Sequence, residues 1–95
     1  MLTPDFTASF ARDRKRCAKK HWNLAQLAAA IQVIITSDEE LPPTTYHDHA
    51  LTADMWGYRA LHVGGPRSNW LIIYMIDGER VVFTRTGTHD EVFRS

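Results

Sequence analysis

The sequence predicts an α+β fold in which a helical hairpin packs on one face of a small antiparallel sheet. Two observations in this chain of 95 residues support that class. Apolar residues recur at helical spacing through the first third of the chain, whereas β-branched and aromatic runs separated by turn residues fill the second half. A helical block followed by a block of strands is typical of α+β domains.

The first predicted helix extends from about residue 6 to residue 20. Phe6, Phe10 and Cys17 recur at helical spacing, and charged residues occupy the remaining face. Cys17 is the single cysteine of the chain, so it has no partner for an internal disulfide. At an apolar helix position we expect a packed thiol rather than a nucleophile.

The second predicted helix has the more regular pattern. Asn23 and Gln26 match a capping box, and Trp22 can pack on Leu27 as a hydrophobic staple. We expect a hairpin that turns near His21 and ends before the proline-containing residues 37–43. The apolar positions of this helix follow the i, i+3, i+4, i+7 rule and are Leu24, Leu27, Ala28, Ile31, Ile34 and Ile35.

Three strands are predicted over residues 56–63, 70–77 and 80–86, and Asp77-Gly78 is typical of a tight turn between the last two. Side chains alternate between the two faces of a strand. In the first of these strands we expect Leu61 and Val63 to face the helices. His62 then lies on the open face, together with Trp56, Tyr58 and Ala60.

Length and composition place the chain in a broad class. We expect one small domain over residues 1–95, with 44% hydrophobic residues as in soluble globular proteins. The longest apolar run covers the seven residues 70–76, too few for a membrane span, and the N-terminus has no signal-peptide pattern. A cytoplasmic protein is therefore expected.

Charge is unevenly distributed although the net charge is zero. Residues 1–21 carry six basic side chains against Asp5 and Asp13, a net charge of +4 that leaves −4 for the remainder. A basic first helix can face RNA phosphates or an acidic partner, or it can be an ordinary solvated face.

Histidine and arginine are the candidate catalytic groups. Arg85 lies at the end of the last predicted strand and His89 follows that strand, in the run Arg85-Thr-Gly-Thr-His89. His49 and His62 precede them in the chain. Cleavage of RNA without a metal needs a base for the 2′-OH, an acid for the 5′ oxygen and a cation for the phosphate, which these residue types supply near neutral pH. An ordinary surface histidine is the alternative interpretation of His89.

The histidines also permit a zinc site as an alternative. His47 and His49 lie on the same side of an extended segment, and His62 and His89 would add two ligands. The sequence has neither a cysteine pair nor a His-Glu-x-x-His motif, so we expect no metal and no other cofactor.

Four segments of the C-terminal half, in this order, resemble the YafQ family of bacterial mRNA-cleaving toxins, within the RelE/ParE superfamily. The N-terminal half agrees with that family in helical pattern and length. The resemblance implies a β-α-α-β-β-β order, with a short first strand near residues 2–5. The matching segments are residues 46–51 with the pair Asp48-His49, Trp56-Gly-Tyr-Arg59 leading to His62-Val63, Trp70-Leu-Ile-Ile-Tyr74, and Arg85-Thr-Gly-Thr-His89 with Phe93.

The resemblance also implies roles for the matched histidines. His89 is the expected general acid on the 5′ oxygen. His49 and His62 are expected to line the same site as base or transition-state stabiliser, and the sequence does not divide those roles between them. His47 has no counterpart in the family, and we interpret it as a loop histidine.

Arg85 matches the family's cation, which implies a clamp on the scissile phosphate; a salt bridge to Asp77 or Glu79 is the alternative. Since Arg85 follows Phe83 by two residues, we expect the two to share one face of the strand.

Two aromatic residues also match the family site. Phe93 is expected to stack on a splayed base. Trp70 belongs either to the site or to the core, because it begins an apolar strand.

The loop over residues 62–70 departs from the family pattern. The family has a shorter loop with an acidic residue immediately before the tryptophan, and Asn69 occupies that position here. An amide is a poor proton acceptor near neutral pH, so either a histidine acts without it or activity is reduced. The longer loop adds Arg67, a candidate phosphate contact.

The implied function is that of the toxin of a type II toxin–antitoxin system, a ribosome-dependent endoribonuclease. The implied partners are the ribosome, mRNA and a small ribbon-helix-helix antitoxin of the DinJ or RelB type, without a membrane. The alternative is a non-enzymatic protein of the same fold, either a ParE-like topoisomerase inhibitor or an inactive toxin that acts as operon co-repressor. Three histidines favour the nuclease, and Asn69 is the main argument for the alternative.

Overall fold

A computed structural model describes residues 1–36, 49–50, 57–65 and 67–93, with residues 49–50 described by their backbone. The α+β class is confirmed, and two elements are additional to the predicted ones, namely a two-residue strand and a C-terminal helix. The elements in chain order are β1 (Thr3–Phe6), α1 (Ala8–Lys19), α2 (Leu24–Thr36), β2 (His49–Ala50), β3 (Arg59–His62), β4 (Leu71–Asp77), β5 (Arg80–Gly87) and α3 (His89–Phe93).

These strands form one sheet in the order β1-β5-β4-β3-β2. The β4–β5 hairpin has the predicted tight turn, with Asp77 paired to Arg80. β1 runs parallel to β5, from Thr3 opposite Arg80 to Phe6 opposite Phe83, whereas the other pairs are antiparallel. The sheet is therefore mixed instead of wholly antiparallel. A parallel pair needs a long crossover and leaves no local turn signal in the sequence.

Side-chain caps set the helix boundaries. Thr7 Oγ1 accepts the N–H of Phe10 at 3.1 Å, so α1 begins at Ala8 and Phe6 belongs to β1 instead of the predicted helix. At the start of α2, Asn23 Oδ1 accepts the N–H of Ala25 at 3.0 Å, which confirms Asn23 as a cap. His21 has a φ of 62° in the turn between the helices, at the predicted position of the hairpin.

The main core lies between the helices and the sheet. Leu61 and Val63 are buried there, which confirms the predicted face of β3. Cys17 is fully buried, and burial is the main cause that raises the pKa of its thiol, as expected for a packed side chain. Other members of this core are Phe10, Leu27, Ile34, Ile72, Tyr74 and Phe83.

The opposite face of the sheet carries a smaller apolar cluster. Ala60, Leu71 and Ile73 pack there with Val92 of α3. Since Ala60 and His62 are two residues apart in β3, His62 lies on this second face, as predicted. The short terminal helix thus covers the same side of the sheet on which the candidate histidine lies.

A β-bulge reverses the orientation of Arg85. Tyr74 pairs with Phe83, but the preceding Ile73 pairs with Arg85, so Thr84 is an extra residue in β5. Phe83 belongs to the core under the helices, whereas Ile73 belongs to the opposite cluster. Arg85 therefore lies on the opposite face from Phe83. The predicted shared face is wrong because one inserted residue shifts the alternation.

Candidate active site

His62 ends β3 and is half-buried. Its Nδ1 lies 2.7 Å from the backbone oxygen of Ser68. Because a carbonyl oxygen only accepts hydrogen bonds, Nδ1 must carry the proton of this bond. In the neutral ring the lone pair is then on Nε2, which is the nitrogen able to accept a proton.

His89 is exposed and begins α3. Its backbone N–H donates to Asn69 Oδ1 at 3.3 Å. The ring of His89 lies 4.6 Å from the ring of Phe93, between centroids. Residues four positions apart share one face of a helix, so the candidate acid and the candidate stacking residue are neighbours.

Two consecutive loop residues each contact one of the two histidines, His62 and His89. Ser68 binds the ring of His62, and Asn69 binds the backbone of His89. The strand register gives the same arrangement, since His62 pairs with Leu71 and Leu71 pairs with Gly87. Each step across antiparallel strands is about 4.5–5.5 Å between Cα atoms, so His62 and Gly87 are about 10 Å apart. The structure therefore brings His62 and His89 to the same end of the sheet.

The third candidate histidine is described through its backbone. His49 pairs with Ala60, so it lies on the strand next to β3. His47 and Trp56 lie outside the described residues.

Arg85 is paired with Asp13, which lies far from it in the sequence. Its Nε donates to Asp13 Oδ2 at 2.6 Å, and its Nη2 donates to the backbone oxygen of Glu91 at 3.1 Å. The salt-bridge partner is thus Asp13 of α1, whereas Asp77 and Glu79 were the predicted alternatives. The side chain of Arg85 is 25% exposed. It lines an open cleft of about 590 Å³ together with Arg12 and Arg16.

Asp13 is nearly buried and occupies the free edge of β5 beyond the end of β1. Its Oδ2 accepts the backbone N–H of Thr86 at 3.1 Å, and its Oδ1 lies 3.0 Å from Arg16 Nη2. A signal for this residue was present in the sequence, because Asp13 follows Phe10 by three positions and precedes Cys17 by four. An acid on the apolar face of a helix indicates a buried partner.

Trp70 belongs to the core. It is 7% exposed, its Nε1 donates to Thr86 Oγ1 at 2.9 Å, and its ring packs 4.9 Å from that of Trp22. Phe93 is 37% exposed, as a stacking residue requires. Arg67 is exposed in the loop.

Metal ligands are not clustered in the described part of the chain. Across residues 1–36, 57–65 and 67–93, no three His, Cys, Asp or Glu side chains are arranged to hold an ion. The zinc alternative depends in part on His47 and His49, whose side chains lie outside those ranges. Among the described helices, none is long and apolar enough to cross a membrane.

Known proteins resemble this chain over nearly its full length. The mRNA interferase toxin YafQ of Escherichia coli strain B / BL21-DE3 is 32% identical over 89 residues, which are 94% of this chain and 92% of that protein. A crystal structure of YafQ from E. coli strain BL21(DE3) matches with a TM-score of 0.85 and 29% identity, over 98% of this chain and 99% of that chain.

Two further solved structures carry information on partners and metals. The E. coli DinJ–YafQ complex matches with a TM-score of 0.83 and 30% identity, over 98% of this chain and 99% of that chain. A metal-bound toxin from Helicobacter pylori matches with a TM-score of 0.81 and 27% identity, over 98% of this chain and 100% of that chain.

The family model described as a bacterial toxin of type II toxin-antitoxin system, YafQ, matches residues 2–94. This match covers almost the whole chain. The chain therefore belongs to the YafQ family of type II toxins.

Proposed function

We propose that this chain is an endoribonuclease that cleaves mRNA on the ribosome by metal-independent histidine chemistry. The observation that supports this most directly is a pair of hydrogen bonds to one loop: His62 donates to Ser68, and the backbone of His89 donates to Asn69. The named activity of the E. coli relative, an mRNA interferase, supports the choice of substrate.

In the proposed reaction, His62 or His49 removes the proton of a ribose 2′-OH. The hydrogen bond from His62 Nδ1 to Ser68 favours this role, because it leaves the lone pair of the neutral ring on Nε2. The 2′ oxygen attacks the adjacent phosphorus and the bond to the 5′ oxygen breaks. The products of this step are a 2′,3′-cyclic phosphate and a 5′-OH. Subsequent attack of water on the cyclic phosphate breaks its bond to the 2′ oxygen and gives a 3′-phosphate.

His89 is the proposed general acid that protonates the leaving 5′ oxygen. Its exposure at the start of α3 and its contact with Phe93 fit a residue that meets a splayed nucleotide. Arg85 and Arg67 are the proposed phosphate contacts, and a guanidinium is suited to offset charge on phosphate oxygens. Asp13 orients the Arg85 guanidinium through its Nε.

The proposed partners follow from the substrate and from the relatives. The E. coli relative has been crystallised with DinJ, so we propose that a small antitoxin of that type binds this chain. Ribosome-bound mRNA as substrate implies that the protein acts in the cytoplasm.

Replacement of His89 tests this function. We expect His89→Gln to lower the single-turnover cleavage rate of ribosome-bound mRNA by roughly 10²–10⁴, the usual cost of losing a general acid. Direct labelling of the downstream fragment by a polynucleotide kinase, without phosphatase, would confirm a 5′-OH end. His21→Asn is the matched control, since it removes an imidazole from the α1–α2 turn and asparagine tolerates a positive φ there.

Two results would contradict the proposal. A folded His89→Gln protein that cleaves at the wild-type rate removes His89 from the mechanism. Equal cleavage of mRNA with and without ribosomes removes the ribosome dependence.

A further inference from the structure

The position of His89 depends on a very short helix. α3 contains five residues, from His89 to Phe93. Such a helix is not stable alone in water, because the first turn fixes several residues for very few hydrogen bonds. Contacts with the rest of the fold must therefore hold His89 in place. Glu91 makes several of the polar contacts between α3 and its surroundings.

Glu91 first closes a capping box at the start of α3. Its Oε1 accepts the backbone N–H of Thr88 at 2.9 Å, and its own N–H donates to Thr88 Oγ1 at 3.2 Å. His89 lies between these two residues. The reciprocal bonds satisfy backbone donors at the helix start and fix the turn that contains the histidine.

The second oxygen of the same carboxylate reaches across to α1. Glu91 Oε2 lies 2.7 Å from Lys20 Nζ and 3.1 Å from Arg16 Nε. The bond from Lys20 is the largest cause that lowers the pKa of Glu91 to about 2, followed by the bond from Thr88. One side chain therefore caps α3 with one oxygen and anchors it to α1 with the other.

Gly87 gives the room for this arrangement. A Cβ at position 87 would lie 2.9 Å from Glu91 Oε1 and 3.3 Å from Arg16 Nη2. The φ of Gly87 is 150°, a value that other residues rarely adopt. The last residue of β5 is thus shaped to let the Glu91 carboxylate pass close to the backbone.

We propose that Glu91 is a positioning residue for His89: by joining the first turn of α3 to α1, it holds His89 against Asn69 and Phe93. The importance of this position for cleavage rests on the proposed role of His89 as general acid. Nothing in the proposed chemistry requires Glu91 to touch the RNA.

Three variants separate the two functions of the carboxylate. Glu91→Ala removes both the cap and the anchor, whereas Glu91→Gln keeps an acceptor for Thr88 and loses the charge. Asp90→Asn is the matched control, because it removes the neighbouring exposed acid of the same helix. All rates are measured on ribosome-bound mRNA at a temperature where circular dichroism shows every variant to be folded.

We expect Glu91→Ala to lower the rate at saturating substrate by about 10-fold to 100-fold with little change in KM, because a displacement of about 1 Å can cost about 10² in rate. Glu91→Gln should lie between Glu91→Ala and wild type, and Asp90→Asn should match wild type. A loss of stability alone would leave the rate of the folded protein unchanged.

A second measurement needs no RNA. The nuclear Overhauser effect between the rings of His89 and Phe93, whose centroids are 4.6 Å apart, should weaken in Glu91→Ala and persist in Asp90→Asn. A Glu91→Ala protein that keeps this signal overturns the positioning proposal. One that loses the signal but cleaves at the wild-type rate contradicts instead the proposed role of His89 as general acid. Wild-type protein that fails to cleave counts against the proposed function, and the ring signal then decides the positioning separately.

Discussion

The resemblance to the YafQ family implies an acidic residue at the position of Asn69. In the structure its Oδ1 accepts the N–H of His89, a bond that a carboxylate oxygen can also accept. Asn69 therefore provides an orienting contact to His89 without the negative charge that a carboxylate would add. A carboxylate would accept this bond more strongly and would favour a protonated imidazole nearby.

We expect Asn69→Asp to raise the single-turnover cleavage rate of ribosome-bound mRNA, because the restored charge assists proton transfer by a neighbouring histidine. The rate is measured across pH for wild type, Asn69→Asp and His62→Ala. Equal rates for the first two proteins would mean that the amide already suffices. An inactive wild type rescued by the aspartate would favour the non-enzymatic co-repressor alternative.

Single residues differ in how far the sequence predicts their surroundings. The face of His62 follows from strand alternation and is confirmed. The face of Arg85 does not follow from strand alternation, because the bulge at Thr84 depends on pairing with β4. The position of Asp13 indicates a buried partner, but that partner, Arg85, lies 72 positions away, so no local pattern identifies it.

At the level of elements, α3 is held to α1 by charge. The carboxylate of Glu91 has a pKa of about 2 in the folded protein and 4.5 as the reference value, mainly because of its bond with Lys20. A group whose pKa is lower in the folded state stabilises that state above the reference pKa. The contribution is lost as pH falls from about 4.5 through about 2.

We expect the free energy of unfolding of wild type to fall more steeply between pH 4.5 and pH 2 than that of Glu91→Gln, since only wild type has this carboxylate to protonate. Denaturant unfolding at several pH values measures the difference. The contributions of the other acidic groups to the pH dependence are common to both proteins and cancel in the comparison. Parallel curves for the two proteins would show that the anchor contributes nothing to stability.

The elements themselves were largely predictable. Helical periodicity and the Asn23 cap define α2, and Asp77-Gly78 defines the β4–β5 turn. α3 is additional to the predicted elements, because a helix of five residues is too short to show helical periodicity. The signal was the capping box from Thr88 to Glu91.

For the whole molecule, the α+β class followed from the order of periodic segments, whereas the mixed sheet did not. The contact between Thr7 and Thr84, at the end of the β1–β5 pair, joins residues 77 positions apart. The partners of the basic residues at α1 are likewise evident only in the folded chain. Arg16 and Lys20 form ion pairs with Glu91, so part of the basic charge at α1 stabilises the fold.

At this scale we also expect catalysis without a metal. A zinc-selective chelator should leave cleavage on ribosomes unchanged while Mg²⁺ is maintained, and purified protein should contain no stoichiometric zinc or copper. Elemental mass spectrometry measures the metal content, and the cleavage assay measures the effect of the chelator. Bound metal together with chelator-sensitive cleavage would instead favour histidines as metal ligands. The test is relevant because one of the similar solved structures is a metal-bound toxin from H. pylori.

The parallel pairing of β1 with β5 has a consequence for the synthesis of this protein. β1 leaves the ribosome that makes the chain before its partner strand is complete, because that strand begins only at Arg80. A nascent chain that has not yet reached β5 has no edge on which β1 can pair, and it also lacks α3 with His89. Pairing between segments so distant in sequence delays folding until β5 has left the ribosome. The fold that holds the proposed general acid His89 is therefore completed only after β5 has been made, so the ribosome that synthesises the chain is not exposed to a folded nuclease while the earlier strands are being translated.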